Sequence, residues 1–97
     1  MGKLCIRDRT LIAHGDIGYD QAGEFATLCA RLLGGSLPGG TVIDLTAAGD
    51  LVSPCLAAVY DDCRLHRPVE LTVIAPRRLA HLFAPGQAEG LFAVREV

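Results

Sequence analysis

The stretch "TVIDLTAAGDLVSPCLAAV", residues 41–59, decides the fold. Its first five residues form a short run rich in β-branched side chains, Thr41, Val42 and Ile43, which predicts a buried strand over 41–45. The next five, "TAAGD", are small and polar and read as a loop. Ser53 and Pro54 then open an apolar run in which Leu56, Val59, Tyr60 and Cys63 recur at helical spacing. Serine at the N-cap and proline at the first helical position match what a helix start needs, so Ser53 is expected to cap this helix. The helix should end near His66-Arg67-Pro68, since proline disfavours helical geometry in the residue before it.

The same alternation of strand and helix continues on both sides. "KLCIRDRTLIAH" (3–14) alternates apolar and polar residues around Asp8-Arg9, predicting strands near 3–7 and 10–14 folded as a hairpin. "GDIGYD" (15–20) reads as a loop, with Asp20 as the N-cap of a helix to Leu33 that carries Phe25, Leu28, Cys29 and Leu32 on one face. Gly34-Gly35 ends it. "VELTVIA" (69–75) is another strand, and Pro76 opens a helix bearing Leu79, Leu82 and Phe83 that stops at "APG" (84–86). "LFAVREV" (91–97) is the last strand. The order β-β-α-β-α-β-α-β requires crossover connections and hence a mostly parallel sheet with an antiparallel N-terminal edge. The segments around 15–19, 46–53 and 76–78 should converge on the rim at the carboxyl ends of the strands, where sites form in open sheets.

Bulk properties narrow the function. The 97 residues fit a single domain, 1–97, able to bury roughly 65% of its unfolded surface. Hydrophobic residues make up 51% of the chain but aromatics only 5%, so the core is expected to be aliphatic and stacking surfaces for nucleic acid are scarce. A net charge of −2, from 9 basic and 11 acidic residues spread along the chain, attracts no phosphate backbone. The N-terminus lacks an apolar leader, and Ile6 stands where a myristoylation signal wants Ser or Thr, so a cytoplasmic protein is expected. Cys5, Cys29, Cys55 and Cys63 form no C-x-x-C pair, which argues against zinc and predicts small buried hydrophobes.

Two sharper chemical readings fail on their residues. "GGSLPGGT" (34–41) has the glycine spacing of a phosphate-binding loop, but Gly40 replaces the lysine and the stretch follows a helix instead of a strand. A Ser-His-Asp hydrolase built from Ser53, His81 and Asp44 lacks the G-x-S-x-G elbow. His14, His66 and His81 lie in three different elements without metal-ligand spacing, and Asp61-Asp62 reads as the wet face of a helix.

Over nearly its whole length the chain resembles the STAS domains, which include bacterial anti-sigma factor antagonists. "LIAHGDIG" (11–18) is similar to the family's second strand and Gly-acid loop, "TVIDLT" (41–46) to the strand ending in Asp, and "LVSPCLAAV" (51–59) to the "DSSGL" segment. "LTVIAPRRLAHLF" (71–83) and "LFAVREV" resemble the later strand, helix and closing strand. The resemblance implies a STAS-like mixed α/β fold with helices mainly on one face. It also implies a non-enzymatic regulatory module without a cofactor, which binds a GHKL-type serine kinase that is itself an anti-sigma factor. Ser53 falls at the family's phosphorylated serine, and Asp44, Thr46, Asp50, Val52, Ser53, Pro54 and Cys55 at its partner-binding segment. The motif is degenerate here: Val52 replaces Asp, Pro54 replaces Ser, Cys55 replaces Gly, and Gly18 stands where many members have Asp. STAS domains also serve as cytosolic subunits of lipid-transport ABC complexes, the alternative role the resemblance implies.

Overall fold

The computed structural model describes residues 2–35 and 40–97. Strands β1 (Lys3–Arg7) and β2 (Thr10–Ile17) form the expected hairpin. Asp8 and Arg9 at its turn have φ of 48° and 63°, the left-handed pair that a two-residue type I′ turn requires. After a 3-10 turn (Tyr19–Gln21) come α1 (Ala22–Gly34), β3 (Thr41–Leu51), α2 (Ser53–Leu65), β4 (Leu71–Ala75), α3 (Arg77–Ala88) and β5 (Ala93–Glu96).

The sheet order is β1-β2-β3-β4-β5, antiparallel between β1 and β2 and parallel elsewhere. Each crossover steps one place in the same direction, so with the usual right-handed connection all helices fall on one face. There α1 packs on β1, β2 and α2, while α3 packs on β4 and β5. This is the mixed α/β sheet that the element order predicts, and it agrees with the STAS-like fold that the resemblance implies.

Register accounts for the core. Ile6, Leu11, Ile43, Val73 and Val94 align in one row under the helices. Phe25, Cys29 and Leu32 of α1, Cys55, Val59 and Cys63 of α2, and Leu79 and Phe83 of α3 cover them. On the opposite face the corresponding row is Cys5, Ile12, Asp44, Ile74 and Arg95. The core is mostly aliphatic, as composition predicts, apart from a cluster of Tyr60, Phe83 and Phe92 with ring centroids 5.5 to 6.5 Å apart.

Several sequence expectations are corrected. β2 extends to Ile17, and β3 runs through "TAAGD" to Leu51 instead of ending at residue 45. The reason is a pair of β-bulges. Between Ile12 and His14 of β2, β3 passes from Asp44 to Ala47, and between Gly15 and Ile17 it passes from Ala48 to Leu51. Each step inserts one extra residue, so the buried positions Leu45, Ala48 and Leu51 fall three apart. α1 starts at Ala22 with Gln21 at its N-cap, and Asp20 lies in the preceding 3-10 turn. α3 passes through Pro85 to Ala88 instead of stopping at "APG". Cys5 is exposed, unlike the other three cysteines. The phosphate-loop comparison falls largely on residues 36–39, outside the described residues. Among the described residues no helix is long and apolar enough to cross a membrane.

Candidate functional site

Because β2, β3 and β4 are parallel, the segments beyond Ile17, Leu51 and Ala75 meet on one rim. Val52 N–H donates to the Ile17 carbonyl at 3.3 Å, and Asp50 N–H donates to Asp16 Oδ1 at 2.8 Å. From the first turn of α3, Arg78 donates through its two terminal guanidinium nitrogens to the carbonyls of Ala48 and Gly49. Gly49 is needed where it stands, since a Cβ there would lie 1.9 Å from Asp16 Oδ1. The second bulge of β3 is thus held by a carboxylate and by a guanidinium, and it delivers the chain into α2.

Ser53 is the first residue of α2 and does not cap it, contrary to the expectation from sequence. The N-cap is Val52, with φ −71° and ψ 154°, and no side chain bonds the first turn. Cys55 N–H instead donates to the Val52 carbonyl at 2.9 Å. Ser53 is exposed, and the first turn carries no acidic residue to offset the positive end of the helix dipole. Pro54 is accordingly the second helical residue, and it too is exposed.

The structure divides the remaining candidates among three environments. Asp50 is exposed on the rim, and Val52 is half-buried, packing against the core. Cys55 is fully buried, so its thiol lies in the core and not on the docking surface; burial pushes its pKa up to about 11. Asp44 sits within β3, not at its end, and its Oδ1 accepts from Thr46 N–H at 2.9 Å and Thr46 Oγ1 at 2.7 Å. This is the local self-bonding by which Asp mimics a turn, and it stitches the first bulge. Asp44 is registered with Ile74, one residue before β4 ends, so Asp44 and Thr46 lie at the β4 end of the rim, on the order of 15–20 Å along β3 from Asp50.

Sequence reasoning missed Tyr19, whose side chain is 74% exposed. It follows Ile17, the residue registered with Leu51, and so stands on the same rim as Asp50 and Ser53. The signal was present as an aromatic in a Gly/Asp-rich segment directly after a strand. Arg78 was also missed, because only the fold brings it to the Ala48 and Gly49 carbonyls.

Other chemistry is not assembled. His81 lies on α3, on the helical side of the sheet, whereas Asp44 is on the opposite face, so no triad forms with Ser53. Among the described residues no cluster of His, Cys, Asp or Glu could hold a metal ion. Asp62 is not on a wet face: it is half-buried and hydrogen-bonds Cys29 across the α1–α2 contact. Burial first, and Asp62 second, raise the Cys29 thiol far above the ordinary range. The same two causes push Cys63 up to about 11, with Arg64 opposing. Among the described residues the strand order contains no reversal, and so no topological switch point of the kind at which doubly wound sheets hold nucleotides. A groove of about 620 Å³, lined by Gly40, Glu70, Leu71, Gly90 and Phe92 among others, lies at the opposite, amino-terminal rim.

No protein-family model and no curated protein matches the chain. Among solved structures it is similar to a chain in the crystal structure of the diguanylate cyclase SiaD in complex with its activator SiaC from Pseudomonas aeruginosa. The two share 19% identity with a TM-score of 0.53, over 100% of this chain and 93% of that one. The likeness is one of fold, and it agrees with the STAS-like architecture.

Proposed function

We propose that the protein is a regulatory module, without catalysis of its own, that acts by docking its β2–β3 rim and the start of α2 onto a partner protein. The observation that carries this reading is the exposed Ser53 at the head of α2, on a rim whose second β3 bulge is held by Asp16 and Arg78. Support comes also from the fold's likeness to a chain from a complex between an enzyme and its activator. On this reading the partner is a GHKL-type serine kinase that acts as an anti-sigma factor, and Ser53 is the residue it modifies. A phosphate there would meet the positive end of the α2 dipole and change the charge of the docking surface without disturbing the core.

The test is affinity capture of the tagged protein from its native host, with mass spectrometry of the bound proteins and of Ser53. Recovery of a GHKL-type ATPase and a phosphate on Ser53 is the expected result. Recovery of another regulated enzyme would keep the docking role and change the partner. Recovery of transporter subunits would replace the switch with an assembly role, and Ser53 would have no regulatory part.

A further inference from the structure

The rim carries an unspent combination of groups. Tyr19 is 74% exposed, as are Leu65 at the far end of α2 and Val97 after β5 to a similar degree, and it is the one of the three that stands beside Asp20. Its neighbour Asp20 is exposed, and so is Asp50 on the adjoining bulge. Neither carboxylate takes part in the ion pairs among the described residues, which join Arg64 to Asp61 and Glu89. Asp16 adds a third carboxylate, one oxygen of which accepts the Asp50 amide. The cation Arg78 has its guanidinium turned to the carbonyls of Ala48 and Gly49. The surface around Ser53 therefore holds an aromatic ring and carboxylates outside those ion pairs, with the guanidinium of Arg78 occupied by backbone.

Resting on the docking role proposed above, we infer that the partner meets this rim with arginine side chains, one stacked on Tyr19 and forked onto Asp20 or Asp50. Charge complementarity selects a basic partner surface, and the ring selects arginine over lysine. A guanidinium is planar, stacks on an aromatic face and engages a carboxylate through two parallel hydrogen bonds, whereas an ammonium does neither as well. Exposed tyrosine is also the residue type that anchors interfaces when a partner desolvates it.

The test replaces Tyr19 with the photo-crosslinker p-benzoylphenylalanine in the full chain, expressed in the native host, and maps the crosslinked peptide on whatever protein is trapped. A second chain carries the probe at Leu65, which is 75% exposed at the far end of α2. The expected adduct from position 19 falls on a partner peptide containing arginine. Its yield should drop about tenfold in the Asp20→Arg, Asp50→Arg double variant, whose two side chains make no contacts that folding needs. An unchanged melting temperature of that variant confirms that the loss is one of docking. An adduct on a peptide without basic residues, or one indifferent to the charge reversal, overturns the inference. Crosslinking from Leu65 but not from position 19 also overturns it, while leaving a docking module that uses another face. No adduct from either position counts against the docking role itself.

Discussion

The hydroxyl of Tyr60 accepts the amide of Gly86 at 3.2 Å and donates to the carbonyl of Leu82 at 2.9 Å. In an uninterrupted helix Gly86 N–H would bond that same Leu82 carbonyl directly. Pro85 sits inside α3, has no N–H of its own and crowds the preceding turn, and the Tyr60 hydroxyl from α2 fills the opened link. Gly86 belongs to the same arrangement, because a Cβ there would lie 2.2 Å from the Phe92 ring. Tyr60→Phe keeps the ring contacts and strands both backbone groups in a partly buried place. The expected loss is about 1–3 kcal/mol, read as a lowered urea midpoint with unchanged m-value. A change below about 0.5 kcal/mol would mean that water replaces the hydroxyl.

This contact also shows where the sequence stopped being legible. Periodicity found every helix and strand, because Phe25, Cys29, Val59, Cys63 and Phe83 obey the helical repeat and the inner row of the sheet obeys the strand repeat. "APG" ends helices by local chemistry, and only a tyrosine 26 residues away in the chain keeps α3 going. Similarly, "TAAGD" fails the test for alternation because two bulges reset the register of β3, and bulges are set by pairing with β2. At the rim, Asp50, Ser53 and Pro54 could be found because they are contiguous. Tyr19 and Arg78 arrive from other elements, and Cys55 turns inward once the helix begins one residue earlier than its capping chemistry implies.

The contact between Asp16 and Gly49 predicts strong non-additivity. Gly49→Ala places a methyl group against the Asp16 carboxylate and forces it off the Asp50 amide, at an expected cost of about 1–3 kcal/mol. In an Asp16→Ala background the methyl meets no carboxylate, so the same substitution should cost less than about 0.5 kcal/mol. A double-mutant cycle by denaturant unfolding measures the difference. Equal costs in both backgrounds would show that the bulge, not the carboxylate, excludes the side chain.

The cysteines predict both reactivity and alkaline behaviour. With Cys29, Cys55 and Cys63 buried and Cys5 exposed, a thiol-reactive dye at about pH 8 should label one thiol per native chain and four in denaturant. The buried thiols have folded pKa values raised above the unfolded value, to about 11 for Cys55 and Cys63. Their stabilisation is therefore complete below about pH 8.5, the unfolded pKa, and is lost as pH rises from there through 11. Each thiol contributes a slope of about 1.4 kcal/mol per pH unit within that window. Cys63→Ala should lower stability at neutral pH by leaving a small cavity, yet flatten the alkaline slope. An unaltered slope would assign the alkaline loss to other groups.

Ser53 offers the most direct separation of structure from function. A serine that caps its helix loses about 1 kcal/mol on replacement by alanine. Here the side chain makes no cap bond and Val52 occupies the N-cap, so Ser53→Ala should change stability by no more than about 0.5 kcal/mol. Ser53→Asp introduces a carboxylate at the positive end of the α2 dipole and should stabilise the fold by about 0.3–1 kcal/mol, with the gain shrinking as salt is added. Any larger consequence of either substitution then belongs to the partner. If Ser53 is the modified residue, Ser53→Asp should weaken capture of that partner, while Ser53→Ala retains it and abolishes phosphate incorporation. Equal capture by both variants, with stability changed as described, would leave the rim as a docking surface whose occupancy does not depend on phosphate.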